Sequence, residues 1–220
     1  MSRTQILIGL VVLALLAVGG AALYLFAGGS TPPAPVALAA GANGRDRTMG
    51  DPKAPITVIE YAAPMCPHCA HFNEQGFPHL KADYIDKGKV FYVFRTFPIG
   101  QPDVAAEAIA RCLPADNYFQ FIDLLFRNQA KWDPENGITG QGVHDGLIGL
   151  ARIAGLSEDK ADACINDKDE QTRIMAVEQD AMTRYGINGT PSFIVNGEVL
   201  AAGSVWPDLK QKLDSLLAKK

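Results

Sequence analysis

Cysteine and histidine are scarce here, four of each in 220 residues. Four cysteines cannot replace a hydrophobic core in a chain of this length, which excludes a disulfide-scaffolded miniprotein. Positive charge is not in surplus either. Acidic side chains number 24 and basic ones 20, for a net charge of −4, so the chain lacks the electrostatic footprint of a nucleic-acid partner. Hydrophobic residues make up 48% and charged ones 20%, a balance foreign to disordered and collagen-like chains. The length fits one domain with room for an insertion.

Charge is also missing from one end. Arg3 is the only basic residue before Arg45, and no acidic residue precedes Asp46. Between them, Ile6 to Ala27 reads ILIGLVVLALLAVGGAALYLFA with no charge at all. At about 1.5 Å per residue such a helix spans roughly 33 Å, enough for a hydrocarbon core of about 30 Å. With Arg3 as the only flanking charge, the N-terminus stays cytoplasmic and the rest lies outside. The alternative is a cleaved signal peptide, since Ala37-Leu38-Ala39 has the small-x-small form of a peptidase site. The run is long for that purpose and the site lies far beyond it, so residues 1–27 are read as a membrane anchor. Both readings export the domain. Residues 28–47, rich in Gly, Pro and Ala, read as a flexible tether with a reach of about 25 Å.

The remainder opens with Ile56-Thr57-Val58-Ile59-Glu60-Tyr61, a β-branched run that predicts a buried strand. Apolar positions at helical spacing follow from Cys66 to about Asp86, with a kink expected at Gly76-Phe77-Pro78. Lys89 to Phe97 is a second strand, so the order is that of a parallel crossover unit. Helical patterns then occupy Val104–Leu113, Asn117–Gln129, His144–Ala154, Glu158–Asp167 and about Glu170 to Tyr185. Strands return around Asn196-Gly197, the strongest short hairpin signal, and Val205 to Ala218 predicts a closing helix. The pattern predicts an α/β domain split by an all-helical insertion over about residues 100–186.

The chemistry centres on Cys66-Pro67-His68-Cys69. A zinc site would need two more ligands at matching spacing, and Cys112 and Cys164 stand far apart. Covalent haem would need His directly after the second cysteine, where Ala70 stands. A redox dithiol fits the context. Cys66 follows a strand and opens a helix, so its sulfur faces free backbone N–H groups and the positive end of the helix dipole, which favour thiolate. Pro67 suits the first helical position, having no N–H to leave unpaired. Cys69, one turn on, is placed to close a disulfide with Cys66. His68 lies between them, either a solvated bystander in an exposed turn or, as expected from the helix-terminus geometry, hydrogen-bonded to or when protonated paired with the Cys66 thiolate. No metal or cofactor is expected.

The stretch GDPKAPITVIEYAAPMCPHC, followed later by GTPSFIVNG, resembles the DsbA-like thioredoxin-fold oxidoreductases of bacterial cell envelopes. The resemblance runs from about Met49 to the C-terminus, making residues 48–220 a thioredoxin-like domain with the helical insertion where that family carries one. It implies that Cys66 attacks, that Cys69 is the buried resolving thiol, and that Thr190-Pro191 is a cis-proline loop binding substrate beside them. It implies a donor of disulfides to reduced, unfolded exported proteins, working as a monomer in the bacterial periplasm or on the envelope exterior. A DsbB-type, quinone-linked membrane protein would recharge it. Glu60 either faces outward from its strand or lies beneath the dithiol. The second is expected, since a carboxylate in an apolar strand is costly to bury without a role and the family carries an acid at this offset. Its expected task is to relay a proton to and from Cys69 with a raised pKa.

One feature departs from the best-known donors, which carry Val where this chain has Thr190. Disulfide isomerases and their relatives often carry Thr there, so the alternatives are an isomerase, a dedicated reductase or a non-catalytic envelope chaperone. Cys112 and Cys164 both fall in the helical insertion. In an oxidising compartment an unpaired thiol is a hazard, so a structural disulfide is expected, with two buried free thiols as the alternative. His71, His79 and His144 read as solvated or capping residues, and Phe119, Phe121, Phe126 and Trp132 as core or groove lining.

Overall fold

The computed structural model describes residues 46–200 and 205–218. The apolar run 6–27 and the tether up to residue 45 lie outside these. Among the described residues no helix is long and apolar enough to cross a membrane.

Two central strands form the predicted parallel pair. β2 (Ile56–Ala62) lies beside β3 (Val90–Thr96), with Ile56 opposite Val90 and Ala62 opposite Thr96. Nearly every position of both strands is buried, as expected of a parallel pair covered on both faces. The crossover between them is α1 (Pro67–Gln75), α2 (Phe77–Leu80) and a wide turn at Lys81–Ile85. The break falls at Gly76, and its reason is close packing. A Cβ there would stand 2.7 Å from the Phe72 ring and 3.0 Å from Trp206 Cβ. Glycine therefore lets the final helix close on α1.

The sheet is completed by β4 (Ser192–Val195), antiparallel to β2, and β5 (Glu198–Val199), antiparallel to β4. The β4–β5 turn is the expected one, with Asn196 at φ 51° and Gly197 at φ 86°, the left-handed pair that suits a two-residue hairpin. One strand was not anticipated. β1 (Arg47–Met49) pairs antiparallel with the outer edge of β3, so the folded domain begins inside the segment read as tether. Asp46 belongs to it too, through an ion pair of its Oδ2 with Arg95 Nη2 at 2.7 Å. The order across the sheet is β1-β3-β2-β4-β5.

The insertion is helical as expected: α3 (Gln101–Cys112), α4 (Tyr118–Arg127), α5 (Gln141–Ile153), α6 (Glu158–Ile165) and α7 (Lys168–Tyr185). α3 starts earlier than its apolar pattern because Pro102 occupies its first turn, a position that needs no N–H. α7 starts at Lys168 because Asp167 caps it, accepting from the backbone N–H of Asp169 and Glu170. Gly186, at φ 66°, ends it. α8 (Trp206–Leu217) closes the chain.

Strand alternation sorts the core into two layers. Ile56, Val58 and Ala62 face α1, α4 and α8 together with Tyr92, Phe94, Phe193, Phe72, Phe121 and Leu209. Ile59, Tyr61 and Val93 face the other way, against Val177 and Ala181 of α7. The first layer runs on into the insertion through Ile109, Leu125, Trp132 and Leu147. A buried carboxylate ties the two parts further: Glu107 of α3 accepts hydrogen bonds from Thr96 Oγ1 at 2.8 Å and the Tyr118 hydroxyl at 2.7 Å.

Cys112 at the end of α3 and Cys164 in α6 are joined by a disulfide across 52 residues, their Cα atoms 6.2 Å apart. For a loop of that length the chain-entropy model gives at most about 4 kcal/mol of stabilisation. A Cys112→Ala/Cys164→Ala variant should lose roughly 2–4 kcal/mol in urea unfolding, while its Cys66–Cys69 pair still cycles. Unchanged stability would show that helix packing alone holds the insertion.

Candidate active site

Cys66 is the N-cap of α1, with extended backbone (φ −69°, ψ 119°) and Pro67 at the first helical position. Its Sγ lies 3.4 Å from the backbone N of Cys69 and 3.3 Å from the Thr190 carbonyl oxygen. Cys66 is only 5% exposed and Cys69 not at all, and both sulfurs are free thiols. Thr190-Pro191 is a cis peptide bond. The structure thus brings Cys66, Pro67, Cys69, Thr190 and Pro191 together at one end of the sheet.

Electrostatics split the two thiols. Cys66 is pulled down to about 5, first by a hydrogen bond from the Cys69 thiol and, against the opposing effect of burial, by the Thr190 side chain and the backbone N–H groups of Cys69 and His68. Cys69 goes the other way. Burial pushes it well above the ordinary thiol value, and its hydrogen bond to Cys66 adds to the rise. One sulfur is a thiolate at neutral pH and its neighbour keeps its proton. His68 contributes through its backbone N–H. Its imidazole is exposed and makes no hydrogen bond among the described residues.

Glu60 is 2% exposed, on the face of β2 that looks toward α1. Burial pushes its carboxyl up to about 8, and the Cys66 charge adds to that. The Tyr92 hydroxyl donates to Glu60 Oε2 at 2.7 Å and partly opposes the rise. Tyr92 was not singled out in the sequence, where it is one apolar-looking residue of a strand buried on both faces. A cavity of about 360 Å³ between α1 and α4 has Glu60, Tyr92 and Phe119 in its lining. Asp103 and Gln129, also unremarked in the sequence, reach from the insertion to the loop before Cys66. Asp103 lies just before the apolar pattern that begins at Val104, and nothing marks it or Gln129 as site residues. The other histidines stand apart: His79 stacks on Trp206, and His144 Nε2 pairs with Asp162 at 2.6 Å. Trp132, Phe121 and Phe126 are core. No cluster of metal-binding side chains occurs among the described residues.

A sheet with a dithiol at the head of its crossover helix, facing a cis-proline loop, defines a thioredoxin-fold redox protein with a helical insertion. Residues 42–215 match the thioredoxin family model. A crystal structure of Wolbachia pipientis alpha-DsbA1 is 30% identical, covers 80% of this chain and 92% of its own, and superposes with a TM-score of 0.71. A putative protein-disulfide oxidoreductase of Rickettsia typhi is 36% identical over 154 residues, 69% of this chain and 55% of that protein. Disulfide bond formation protein D of Bacillus subtilis is 28% identical over 180 residues, covering 78% of this chain and 77% of that one. The chain spans little more than half the length of the rickettsial relative. It belongs to the thioredoxin family, in its DsbA-like branch.

The Glu60 carboxyl gives a pH signature. Its folded value of about 8 lies above its ordinary 4.5. The folded state therefore holds a proton that the unfolded chain has released, and stability present below pH 4.5 is lost as pH rises toward 8. Glu60→Gln removes that loss, so the reduced variant should exceed the parent at pH 7 by up to about 3 kcal/mol and match it near pH 4. Urea unfolding of the reduced protein across this range measures it. Parallel pH profiles for the two proteins would show that Glu60 titrates as an ordinary carboxylate.

Proposed function

We propose that this protein is a thiol:disulfide oxidoreductase that donates the Cys66–Cys69 disulfide to exported, folding proteins. The observation that carries the reading is the placement of the two thiols. The Cys66 sulfur caps α1, 3.4 Å from Cys69 N, and Cys69 is fully buried behind it, which pulls Cys66 down to about 5 and pushes Cys69 up. Stabilising the Cys66 thiolate stabilises the dithiol over the disulfide, at about 30 mV per unit of pKa for a two-electron couple. A dithiol so favoured makes its disulfide an oxidant.

In this reading a substrate thiolate attacks Cys66 Sγ of the oxidised enzyme, and Cys69 departs as the leaving thiolate. Glu60, protonated near neutral pH, supplies the proton that Cys69 then keeps. A second substrate thiolate attacks the substrate sulfur of the mixed disulfide, and Cys66 leaves as a stable thiolate. Two substrate thiols are oxidised and the enzyme disulfide is reduced. The substrate segment lies extended along the Thr190-Pro191 loop, pairing with its backbone by strand addition. A DsbB-type quinone-linked membrane protein reoxidises the dithiol. The chain works outside the cytoplasm as a monomer, held to the membrane by residues 1–27. The family names borne by its relatives support the activity, while the anchor and reoxidant rest on the sequence reading.

Cys66→Ala should abolish oxidation of a reduced model protein, and Cys69→Ala should accumulate mixed disulfides through Cys66. Full activity in Cys66→Ala would overturn the mechanism. Turnover only with isomerase substrates, or a pair trapped as dithiol in cells, would favour the isomerase or reductase reading that Thr190 raises. His68 acts here through its main chain, so His68→Leu should leave the thiolate midpoint near 5 when followed by ultraviolet absorbance. A rise of about one unit or more, tenfold in thiolate population at a given pH, would assign the stabilisation to the imidazole.

A further inference from the structure

The loop Ala63–Cys66 carries the chain from the end of β2 to the head of α1, and its conformation fixes where the Cys66 sulfur points. Within the loop, Cys66 N–H donates to the Ala63 carbonyl at 2.9 Å. Three further groups of the loop bond to the helical insertion. Met65 N–H donates to Asp103 Oδ1 at 2.7 Å. Gln129 Nε2 donates to the Pro64 carbonyl at 2.7 Å and to the Cys66 carbonyl at 3.2 Å. The Pro64–Met65 peptide is thus held at both ends, its C=O by Gln129 and its N–H by Asp103. The carbonyl of the Cys66–Pro67 peptide is held by Gln129 as well as by the helical bond from Ala70 N–H at 3.0 Å.

Neither clamp is loose. Asp103 is fully buried in the first turn of α3. Its other oxygen, Oδ2, accepts from Ile99 N–H at 2.9 Å, so one carboxylate joins the loops leaving the two parallel strands β2 and β3. Gln129 opens a short turn after α4. That turn is fixed by the fully buried Trp132, whose indole N–H donates to the Leu125 carbonyl at 3.2 Å.

We propose that Asp103 and Gln129 are positioning residues for Cys66: by fixing the Ala63–Cys66 loop, the helical insertion holds the Cys66 sulfur at the α1 N-terminus and against Thr190, and so sets its reactivity. The inference rests on the reading of Cys66 as the reactive thiol. Its physical basis is the steepness of hydrogen bonding with distance and angle. Of the sulfur's two contacts, the Cys69 N–H at 3.4 Å is the one that can hold a thiolate, whereas the Thr190 carbonyl at 3.3 Å accepts only from the protonated thiol. A loop free to move by a few tenths of an ångström would weaken the groups that hold the thiolate, with no change at the cysteines themselves.

The test is Gln129→Leu in the full reduced chain, with Asp103→Asn as a second variant and Asn128→Ala as control. Gln129 is half-buried and the Cys66 carbonyl keeps its helical bond from Ala70 N–H, so the fold should survive. Asn128 lies in the same turn, but its side chain bonds only the Leu124 carbonyl at 2.8 Å. The readouts are the Cys66 thiolate titration, the rate of its alkylation by iodoacetamide at acidic pH, and the equilibrium with glutathione. Gln129→Leu should raise the Cys66 midpoint by about one unit, slow alkylation at acidic pH several-fold and move the glutathione equilibrium up to tenfold toward the enzyme disulfide. Asn128→Ala should leave all three unchanged. The proposal is overturned if Gln129→Leu folds with an unaltered Cys66 midpoint, whatever its melting temperature, or if the control shifts equally. Should Asp103→Asn fail to fold, Gln129→Leu alone decides. These readouts do not depend on the direction of cellular redox flow, so a parent that fails to oxidise protein substrates would defeat the proposed function and leave this test intact.

Discussion

A sulfur anion at the head of a helix is the constraint on which the rest of the site depends. The leading N–H groups of α1, those of His68 and Cys69, have no partner within the helix, and Cys66 presents its sulfur to them. Each neighbouring choice follows. Proline can stand at the first helical position because no N–H is wanted there. The strand before the loop must end on the face where α1 begins, and the Thr190-Pro191 loop must meet the sulfur from across the sheet. β2, paired with β3 on one side and β4 on the other, delivers both: its end leads to Cys66, and its antiparallel neighbour starts just after Pro191.

Burying Glu60 under that anion looks wasteful until the two charges are weighed together. Burial and the Cys66 thiolate both disfavour ionised Glu60. Glu60 in turn disfavours ionised Cys69. In the reduced protein at neutral pH the favoured arrangement is therefore one charge on Cys66 and protons on both Cys69 and Glu60. In the proposed mechanism Cys69 leaves the disulfide as a buried thiolate, and a protonated Glu60 with a value near 8, below that of Cys69, would make proton transfer to sulfur downhill. Tyr92 keeps this poise from going further, because its hydrogen bond steadies the ionised carboxylate.

Local signals in the sequence were read well because their causes are local. The Cys66 cap, the Gly186 stop and the Asn196-Gly197 turn each depend on a few adjacent dihedral angles. β1 was missed for the opposite reason. Three residues, RTM, carry no periodicity, and the strand exists only because the edge of β3 offers it partners. Tyr92 was hidden by the burial of β3 on both faces, which removes the alternation that would single out a polar tip. Gln129 had no signal at all, since its partners are backbone carbonyls some 65 residues earlier.

The same distinction explains what a helical insertion adds to a thioredoxin sheet. An insertion that merely enlarged the core would touch the sheet through apolar contacts, which are tolerant of small shifts. This one also grips the strand ends through directional bonds. Glu107 takes the Thr96 hydroxyl at the end of β3, and Asp103, one helical turn earlier on α3, takes the N–H groups that follow β2 and β3. Both are buried acids, and breaking the Asp103 bonds would leave unpaired backbone N–H groups and an unpaired acceptor away from water. These bonds tie α3 to the ends of both strands. The dithiol sits where they meet, and under the positioning role proposed for Asp103 and Gln129 its geometry depends on that junction.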